Sequence, residues 1–200
     1  MSVQLDLLRH GVTERGGGFR GSLDDELTAE GWAQMRAAVA LGGPWDALVS
    51  SPLRRCAAFA EELAARLELP LQLEADLREL HFGAWEGRSA ADLMHDQADE
   101  LGRFWADPYA FTPPDGEPMQ HFEARIDAAL QRLRQSHDGR RVLLVGHGGV
   151  IRLLLARARG LPRTQLLAVE VAHASLHGLA FGTAPSAVHE RTLSGEGERL

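Results

Sequence analysis

Short apolar runs alternate with longer amphipathic runs along most of this 200-residue chain, and this alternation limits its possible folds more than any other feature. The apolar runs have the length and composition of buried strands, and segments of helical period follow most of them. The predicted strands are 3–8, 47–49, Leu71–Leu73, 142–145, 166–172 and Leu176–Phe181. Because strands that alternate with helices assemble into a mainly parallel sheet covered on both faces, we predict an α/β three-layer sandwich.

The length of the chain fits one domain, without an internal repeat or a low-complexity linker. A domain of this size buries roughly 70% of its unfolded surface. An apolar fraction of 44% with 24% charged residues is ordinary for a globular protein. Residues 182–200 are polar and rich in glycine. We therefore predict one domain over residues 1–181 and a loosely held polar tail over 182–200.

The composition excludes several kinds of function. Basic residues number 21 against 28 acidic ones, and the net charge of −7 argues against binding of nucleic acid or of an anionic membrane surface. Every basic residue is arginine, and the chain contains neither lysine nor asparagine. A Walker phosphate loop, a Schiff-base lysine and N-glycosylation are therefore excluded. The single cysteine, Cys56, excludes an internal disulfide and a multi-cysteine metal site.

Signals for secretion or membrane insertion are absent from the sequence. Residues 1–11 are too short and too polar for a signal peptide, and no stretch approaches the roughly 18 consecutive apolar residues of a membrane span. The sequence therefore predicts a cytoplasmic protein that does not act at a membrane.

Two of the predicted strands end in a histidine beside glycine. His10 follows the first strand between Arg9 and Gly11, and His147 follows the most apolar strand, with Gly148 next in the chain. Either feature alone is as well explained by a surface histidine or a tight turn. Because ligands bind beyond the carboxyl ends of the strands in such sheets, both imidazoles are expected in one site.

Arginine side chains are predicted to complete this site. Arg9 adjoins His10, and residues 50–55, after a third strand, add Arg54 and Arg55. Guanidinium groups offer planar, bidentate donors to phosphate oxygens. The cluster therefore suits a phosphate dianion.

Taken together, the motifs resemble the histidine phosphatase superfamily, in its phosphoglycerate-mutase-like branch. The resemblance covers about residues 3–181 and implies a phosphoglycerate-mutase-like fold. Its motifs occur in the family's order at 8–13, 20–21, 27–31, 50–55, 77–87 and 146–152. The implied activity is hydrolysis of a small phosphomonoester through a phosphohistidine, without a metal or another cofactor.

The resemblance implies a role for each residue at a matching position. His10 matches the nucleophile, and Glu79 matches the general acid that protonates the leaving alkoxide. The phosphate pocket is matched by Arg9, Arg55 and His147. Thr13, Arg20 and Gly148 match positions that contact phosphate or substrate.

Some residue assignments stay open. Arg54 is an alternative to Arg55, although a solvated arginine is the plainer interpretation, and Glu86 is a rival to Glu79 as the acid. Gly16 stands where the family often has asparagine, which weakens every assignment within residues 14–18. His173 and His177, if they lie on a strand, are about 13 Å apart and unsuited to a shared metal.

Loop residues 21–28 and 80–87 look most like those of the α-ribazole-5′-phosphate phosphatases of cobalamin nucleotide-loop assembly. The expected walls of the leaving-group pocket are residues 16–20, 81–85 and 104–119, which supply the aromatic residues Phe19, Phe82, Trp85, Trp105, Tyr109 and Phe111. A broad phosphatase, a phosphoglycerate mutase and a non-catalytic phospholigand-binding domain are the alternatives. A binding domain needs neither a nucleophile nor an acid, which argues against the last of these. Whether the chain forms a homo-oligomer is left open.

Overall fold

The computed structural model describes residues 2–181 and 188–193. The strands are β1 (Val3–Arg9), β2 (Ala47–Ser50), β3 (Leu71–Leu73), β4 (Arg141–Gly146), β5 (Leu176–Phe181) and β6 (Val188–Arg191). The helices are α1 (Ala29–Val39), α2 (Arg54–Leu67), α3 (Ala90–Asp96), α4 (Ala98–Ala106), α5 (Met119–Ser136) and α6 (Gly148–Ala158). Within the described ranges, no helix is both long and apolar enough to cross a membrane.

The strands form one sheet in the order β3-β2-β4-β1-β5-β6. Strands β3, β2, β4 and β1 run parallel, whereas β5 and β6 are antiparallel to their neighbours at one edge. Strand β1 therefore lies inside the sheet, between β4 and β5. The predicted α/β class with a mainly parallel sheet is confirmed.

Alternate side chains of the central strands point into two separate apolar layers. Leu7 and Leu144 pack on the side of α5 and α6, together with Ile126 and Leu154. The opposite side of the sheet, with Leu8, Leu48, Leu143 and Val145, packs against α1 and α2. Because successive side chains point to opposite faces of the sheet, both faces are apolar and both are covered by helices, as the three-layer prediction requires.

A buried carboxylate interrupts the second apolar layer. Asp6, in the middle of β1, is fully buried and accepts a hydrogen bond from Trp45 Nε1 at 2.7 Å. Its two oxygens also pair with the guanidinium groups of Arg141 and Arg191. A charge at this depth is tolerated because it has opposite charges and a donor beside it.

The prediction of a strand at 166–172 is wrong. Residues Arg163–Ala168 form a 3₁₀ helix, and the chain beyond it is irregular. The carbonyls of Val169 and Val171 accept side-chain hydrogen bonds from Arg152 and Arg9 rather than backbone bonds of a sheet. Residues 90–106 form two helices, α3 and α4, which meet at Gln97.

The predicted tail includes part of the sheet. Val188–Arg191 form the edge strand β6, which pairs with β5. Residues 182–187 and 194–200 lie outside the described residues. The domain boundary at residue 181 remains a prediction.

Candidate active site

Two imidazole rings lie side by side at the carboxyl end of the sheet. Strands β1 and β4 are parallel neighbours with Arg9 opposite Gly146, so the residues that follow them, His10 and His147, are also neighbours. The His10 N–H donates to the Gly146 carbonyl at 3.0 Å. The ring centroids are 5.5 Å apart at an interplanar angle of 64°, and both rings are buried.

One nitrogen of the His10 ring is held by the backbone. Its Nδ1 lies 2.9 Å from the carbonyl oxygen of Gly11. Because a carbonyl oxygen only accepts, Nδ1 carries the proton and Nε2 keeps its lone pair. Burial first, and the charge of Arg55 second, lower the pKa of His10 well below its ordinary value. The ring is therefore neutral at neutral pH, the state in which Nε2 can act as a nucleophile.

His147 is fully buried behind the same site. Its Nε2 lies 2.7 Å from the hydroxyl of Ser51, and burial followed by Arg55 lowers its pKa well below the ordinary value. The thiol of Cys56 lies 3.7 Å from the same nitrogen. Burial raises the pKa of Cys56 to about 12, so the thiol stays protonated and packs as a small apolar group.

The guanidinium group of Arg9 is fixed by its two terminal nitrogens. Nη1 donates to the carbonyl of Val171 at 2.6 Å, and Nη2 donates to Nε2 of His173 at 3.2 Å. Nε lies 3.2 Å from the position that a Cβ would occupy on Gly148, the first residue of α6. Arg9 and Gly148 therefore lie together, as predicted for two residues of one site.

Arg55 is fixed in a similar way by the loop 20–25. Its Nη1 donates to the Leu23 carbonyl at 2.5 Å and its Nη2 to the Gly21 carbonyl at 2.9 Å. Nη1 also lies 3.4 Å from a carboxylate oxygen of Asp25. The side chain is fully buried, whereas the neighbouring Arg54 is 60% exposed at its side chain. This difference favours Arg55 over Arg54 as the pocket residue.

Arg20 and Thr13 meet each other beside the same loop. Nη1 of Arg20 donates to the Thr13 hydroxyl at 2.7 Å and also pairs with Asp25. Thr13 is buried, and the Arg20 side chain is only 8% exposed. Both predicted residues therefore lie in one buried group with Arg55.

Three guanidinium groups each have one buried nitrogen without a hydrogen-bond partner. Among the residues that the structure describes, Nε of Arg9, Arg20 and Arg55 has no hydrogen-bond partner. Buried polar groups are nearly always hydrogen-bonded, so these three donors are suited to bind an acceptor. The oxygens of a phosphate group are acceptors of this kind.

Glu79 is held by the backbone of two segments. Its Oε1 accepts from the N–H of Leu80 at 3.0 Å and its Oε2 from the N–H of Gly149 at 2.9 Å. A Cβ on Gly149 would approach Oε1 to 2.3 Å, so only glycine allows this close contact. Glu79 is therefore anchored beside the first turn of α6.

A cavity of about 380 Å³ lies beside Glu79, and apart from Glu79 and Arg152 its walls are mostly apolar. Each of the three predicted wall regions contributes to it. The lining residues are Phe19, Glu79, Leu80, Phe82, Phe104, Trp105, Met119, Phe122, Gly149, Arg152, Leu166 and Leu167.

The aromatic set predicted for these walls is only half right. Phe19, Phe82 and Trp105 line the cavity. Trp85 is fully buried, with its Nε1 bonded to Gln97, and Tyr109 and Phe111 pack against the apolar layer of α5 and α6. Phe122, Leu166 and Leu167 were missed because they lie on segments that the sequence assigned to a plain amphipathic helix and to a strand.

The rival acid Glu86 has another position. Its oxygens accept from the N–H groups of Ser22, Leu23 and Phe82 at 2.7, 3.0 and 3.2 Å. Nδ1 of His81 donates to the same carboxylate at 2.6 Å. Glu86 thus joins two loops, and it is not among the residues that line the cavity.

His173 is a neighbour of the site that the sequence did not indicate. Its ring centroid is 5.7 Å from that of His10, and burial followed by the charge of Arg9 lowers its pKa. The sequence raises His173 only as one half of a possible metal-binding pair with His177. Nε2 of His177 lies 3.0 Å from the Ser175 hydroxyl. Across residues 2–181 and 188–193, no group of three or more histidine, cysteine, aspartate or glutamate side chains is placed to hold a metal ion.

The arrangement has the parts needed for phosphoryl transfer. A neutral imidazole with a free lone pair lies beside a second imidazole and buried cationic donors. The carboxyl group of Glu79, which is anchored to the first turn of α6, borders an apolar cavity that can hold a leaving group. Positioned donors of this kind stabilise the charge of a transferring phosphoryl group.

Comparisons with known proteins agree with this assignment. The family model described as histidine phosphatase superfamily (branch 1) matches residues 5–191. The adenosylcobalamin/alpha-ribazole phosphatase of Escherichia coli (strain K12) is 33% identical over 164 residues, which cover 80% of this chain and 81% of that protein.

Solved structures give the same result for the fold. The alpha-ribazole phosphatase from Shigella flexneri superposes with a TM-score of 0.81 at 28% identity, covering 95% of each chain. The mycobacterial glucosyl-3-phosphoglycerate phosphatase also superposes with a TM-score of 0.81, at 30% identity, covering 96% of this chain and 97% of that one.

Proposed function

The chain belongs to branch 1 of the histidine phosphatase superfamily, and from that premise we propose that it hydrolyses α-ribazole-5′-phosphate through a phosphohistidine at His10. The observation that carries this proposal is the apolar cavity that begins at Glu79, because it gives the leaving group a place next to the acid. A cytoplasmic location of the protein, which we also propose, fits a small, water-soluble phosphomonoester as substrate.

In the first half of the reaction, Nε2 of His10 attacks the phosphorus atom in line with the ester oxygen. The P–N bond forms, the P–O bond to the ribose breaks, and protonated Glu79 gives its proton to the departing alkoxide. Arg9, Arg55 and His147 stabilise the equatorial oxygens, with Thr13, Arg20 and Gly148 as further contacts of the phosphate or the substrate.

In the second half, water attacks the phosphorus atom of phosphohistidine. Glu79, now a carboxylate, takes a proton from the water, the P–N bond breaks and inorganic phosphate leaves. The lone pair returns to Nε2. The imidazole ring keeps its orientation because Nδ1 stays hydrogen-bonded to the Gly11 carbonyl.

The choice of substrate rests on the walls of the cavity. Phe19, Phe82, Phe104 and Trp105 offer flat apolar faces that suit a heteroaromatic base, and about 380 Å³ is within the size range of small-molecule sites. Arg152 is the one cationic side chain among the lining residues. A small carboxylate such as phosphoglycerate would need more cationic partners than this.

Other substrates remain alternatives. The similarity to glucosyl-3-phosphoglycerate phosphatases supports a sugar phosphate as a second candidate, because that relative covers the chain equally well. A broad phosphatase or a mutase would use the same histidine. A non-catalytic binding domain would make no phosphoenzyme.

A substrate panel tests the proposal. We expect kcat/KM for α-ribazole-5′-phosphate to exceed that for 3-phosphoglycerate by at least ~10²-fold, which is about 2.7 kcal/mol of transition-state discrimination. Glucosyl-3-phosphoglycerate and fructose bisphosphates complete the panel. A preference below tenfold would mean that the walls do not select the base and that the protein is a broad phosphatase.

His10→Ala serves as the matched control. This variant should stay folded, form no phosphoenzyme with a labelled phosphomonoester and lose essentially all turnover. If it kept a substantial part of the wild-type kcat, the phosphohistidine mechanism would be wrong.

A further inference from the structure

We propose that Asp25 is a positioning residue that holds Arg20, and secondarily Arg55, in the orientation that phosphate binding requires. This inference rests on the proposed function, because it assigns Arg20 and Arg55 to the phosphate. The resemblance assigns no role to Asp25, and within the part of the chain that the structure describes its carboxylate forms no hydrogen bond or ion pair with His10 or Glu79.

Asp25 is a buried carboxylate between two arginines. Its side chain is 1% exposed; Oδ2 pairs with Nη1 of Arg20, and Oδ1 lies 3.4 Å from Nη1 of Arg55. Such a charge is tolerated in the interior only with partners of opposite charge. The three side chains therefore form one buried ionic group.

The two arginines depend on Asp25 to different degrees. Arg55 has the Leu23 and Gly21 carbonyls as further acceptors at 2.5 and 2.9 Å. Among the described residues, the Arg20 guanidinium donates to Asp25 and to the hydroxyl of Thr13. Loss of the carboxylate would therefore leave Arg55 held by the backbone and Arg20 held by one neutral hydroxyl.

The atom that Asp25 does not contact is the one that can serve the phosphate. In both arginines the contacts to Asp25 use Nη1, while Nε is buried and unpartnered among the described residues. Holding a guanidinium by its terminal nitrogen fixes the direction of the N–H on Nε. Fixed donors cost no reorganisation when charge develops on the phosphoryl oxygens.

The neighbouring acidic residues have other partners, which makes the role specific to Asp25. Asp24 accepts a hydrogen bond from the backbone N–H of Arg54 at 2.6 Å, at the first turn of α2. Glu26 pairs with the Arg54 side chain at the surface, where its own side chain is 51% exposed.

Asp25→Asn tests the proposal. Asparagine keeps the shape of the side chain but has an NH₂ group in place of one carboxylate oxygen. This group cannot accept a hydrogen bond from an arginine, so one of the two contacts is lost. We expect kcat/KM for a nitrophenyl phosphate to fall roughly ten- to hundredfold, the size of a lost hydrogen bond to a charged group. Glu26→Gln is the matched control and should leave kcat/KM unchanged.

A double-mutant cycle separates positioning from a general structural effect. If Asp25 acts through Arg20, adding Asp25→Asn to Arg20→Ala should lower kcat/KM less than threefold further. Thermal denaturation of each variant, and calorimetric titration of each with inorganic phosphate, show whether the folded protein has lost phosphate affinity.

Three outcomes would overturn the inference. The first is an unchanged kcat/KM in Asp25→Asn, and the second is full additivity of the effects of Asp25→Asn and Arg20→Ala on kcat/KM. The third is a decrease in kcat/KM that equals the loss of folded protein while the phosphate affinity of the folded protein is unchanged. Failure of the proposed function would look different. Wild-type protein would then show no preference for α-ribazole-5′-phosphate in the substrate panel, or would form no phosphoenzyme at all.

Discussion

Glu79 and Glu86 lie seven residues apart, yet their surroundings separate their chemistry. Glu79 lines the cavity and accepts two backbone N–H groups, one of them from Gly149. Glu86 accepts three backbone N–H groups and joins two loops. A general acid must reach the leaving oxygen, and of the two only Glu79 borders the cavity.

Substitution of Glu79 should act on the leaving group. We expect Glu79→Gln to slow hydrolysis of alkyl phosphates by ~10²-fold or more, the usual scale of general acid catalysis. The loss should be much smaller for a nitrophenyl ester, whose leaving group needs no proton. Steady-state kinetics with both esters measure this, and equal losses would remove Glu79 from the role of acid.

The site also shows what single residues reveal before a structure is known. His10 and His147 follow the neighbouring strands β1 and β4, and Arg9 ends β1. Because the carboxyl end of a parallel sheet gathers such residues, the sequence could predict that these three meet. The sequence does not indicate His173 or Asp25. His173 contacts Arg9 across 164 positions of the chain, and Asp25 meets Arg20 and Arg55 only once the loop 20–25 is folded. Asp25 in particular stands in an acidic run, which usually indicates a solvated surface.

At the scale of elements, the loop 20–25 is held against the segment 81–86. Glu86 supplies the acceptors for the N–H groups of Ser22 and Leu23, and a Cβ on Gly21 would come within 2.1 Å of the Leu80 carbonyl oxygen. The same loop presents two carbonyls to Arg55. The two loops are therefore joined to each other and to the buried Arg55.

Removing this junction should affect every substrate alike. We expect Glu86→Ala to lower the free energy of unfolding by about 2 kcal/mol, since three backbone donors lose a charged acceptor that water replaces only in part. The value of kcat/KM should fall by the same factor for an alkyl and a nitrophenyl phosphate. Urea denaturation and kinetics check both, and a larger loss for the alkyl ester would contradict this role.

Element prediction failed where side chains compete for the backbone. Residues 166–172 have the composition of a strand, but Arg152 and Arg9 take the carbonyls that a sheet would use. Val188–Arg191 were assigned to a tail because of polar neighbours, although an edge strand needs few apolar residues. The inner strands were predictable because burial on both faces demands continuous apolar runs.

For the whole molecule, buried neutral histidines make stability depend on pH. Desolvation lowers the pKa of His10, His147 and His137, and the two ring nitrogens of His137 have no partner within the described residues. A histidine in the unfolded chain binds a proton near pH 6.5, whereas these three bind it only at lower pH when folded. The unfolded state therefore binds more protons as the pH falls below about 6.5, and stability is lost in that direction.

The expected slope is up to about 1.4 kcal/mol per pH unit for each fully buried imidazole. Urea denaturation between pH 5 and 8, without phosphate in the buffer, measures it. His137 lies on a segment away from the active site. The His137→Leu variant should show a weaker dependence of the free energy of unfolding on pH. A free energy of unfolding that stays level from pH 7 to 5.5 would contradict the assignment of these rings as neutral.

The central place of β1 in the sheet has a consequence for synthesis on the ribosome. This strand emerges first, but its neighbour β4 begins at Arg141, and the pairing of Asp6 with Arg191 joins residues 185 positions apart. During most of translation the strand that leads into His10 has no sheet to enter, and its unpaired carboxylate makes early burial unfavourable. Stalled nascent chains ending near residue 140 should therefore be digested by protease from Val3 onward, whereas chains exposed past residue 193 should be resistant. The phosphate site would then come into being in one late step, when the last strands reach the first.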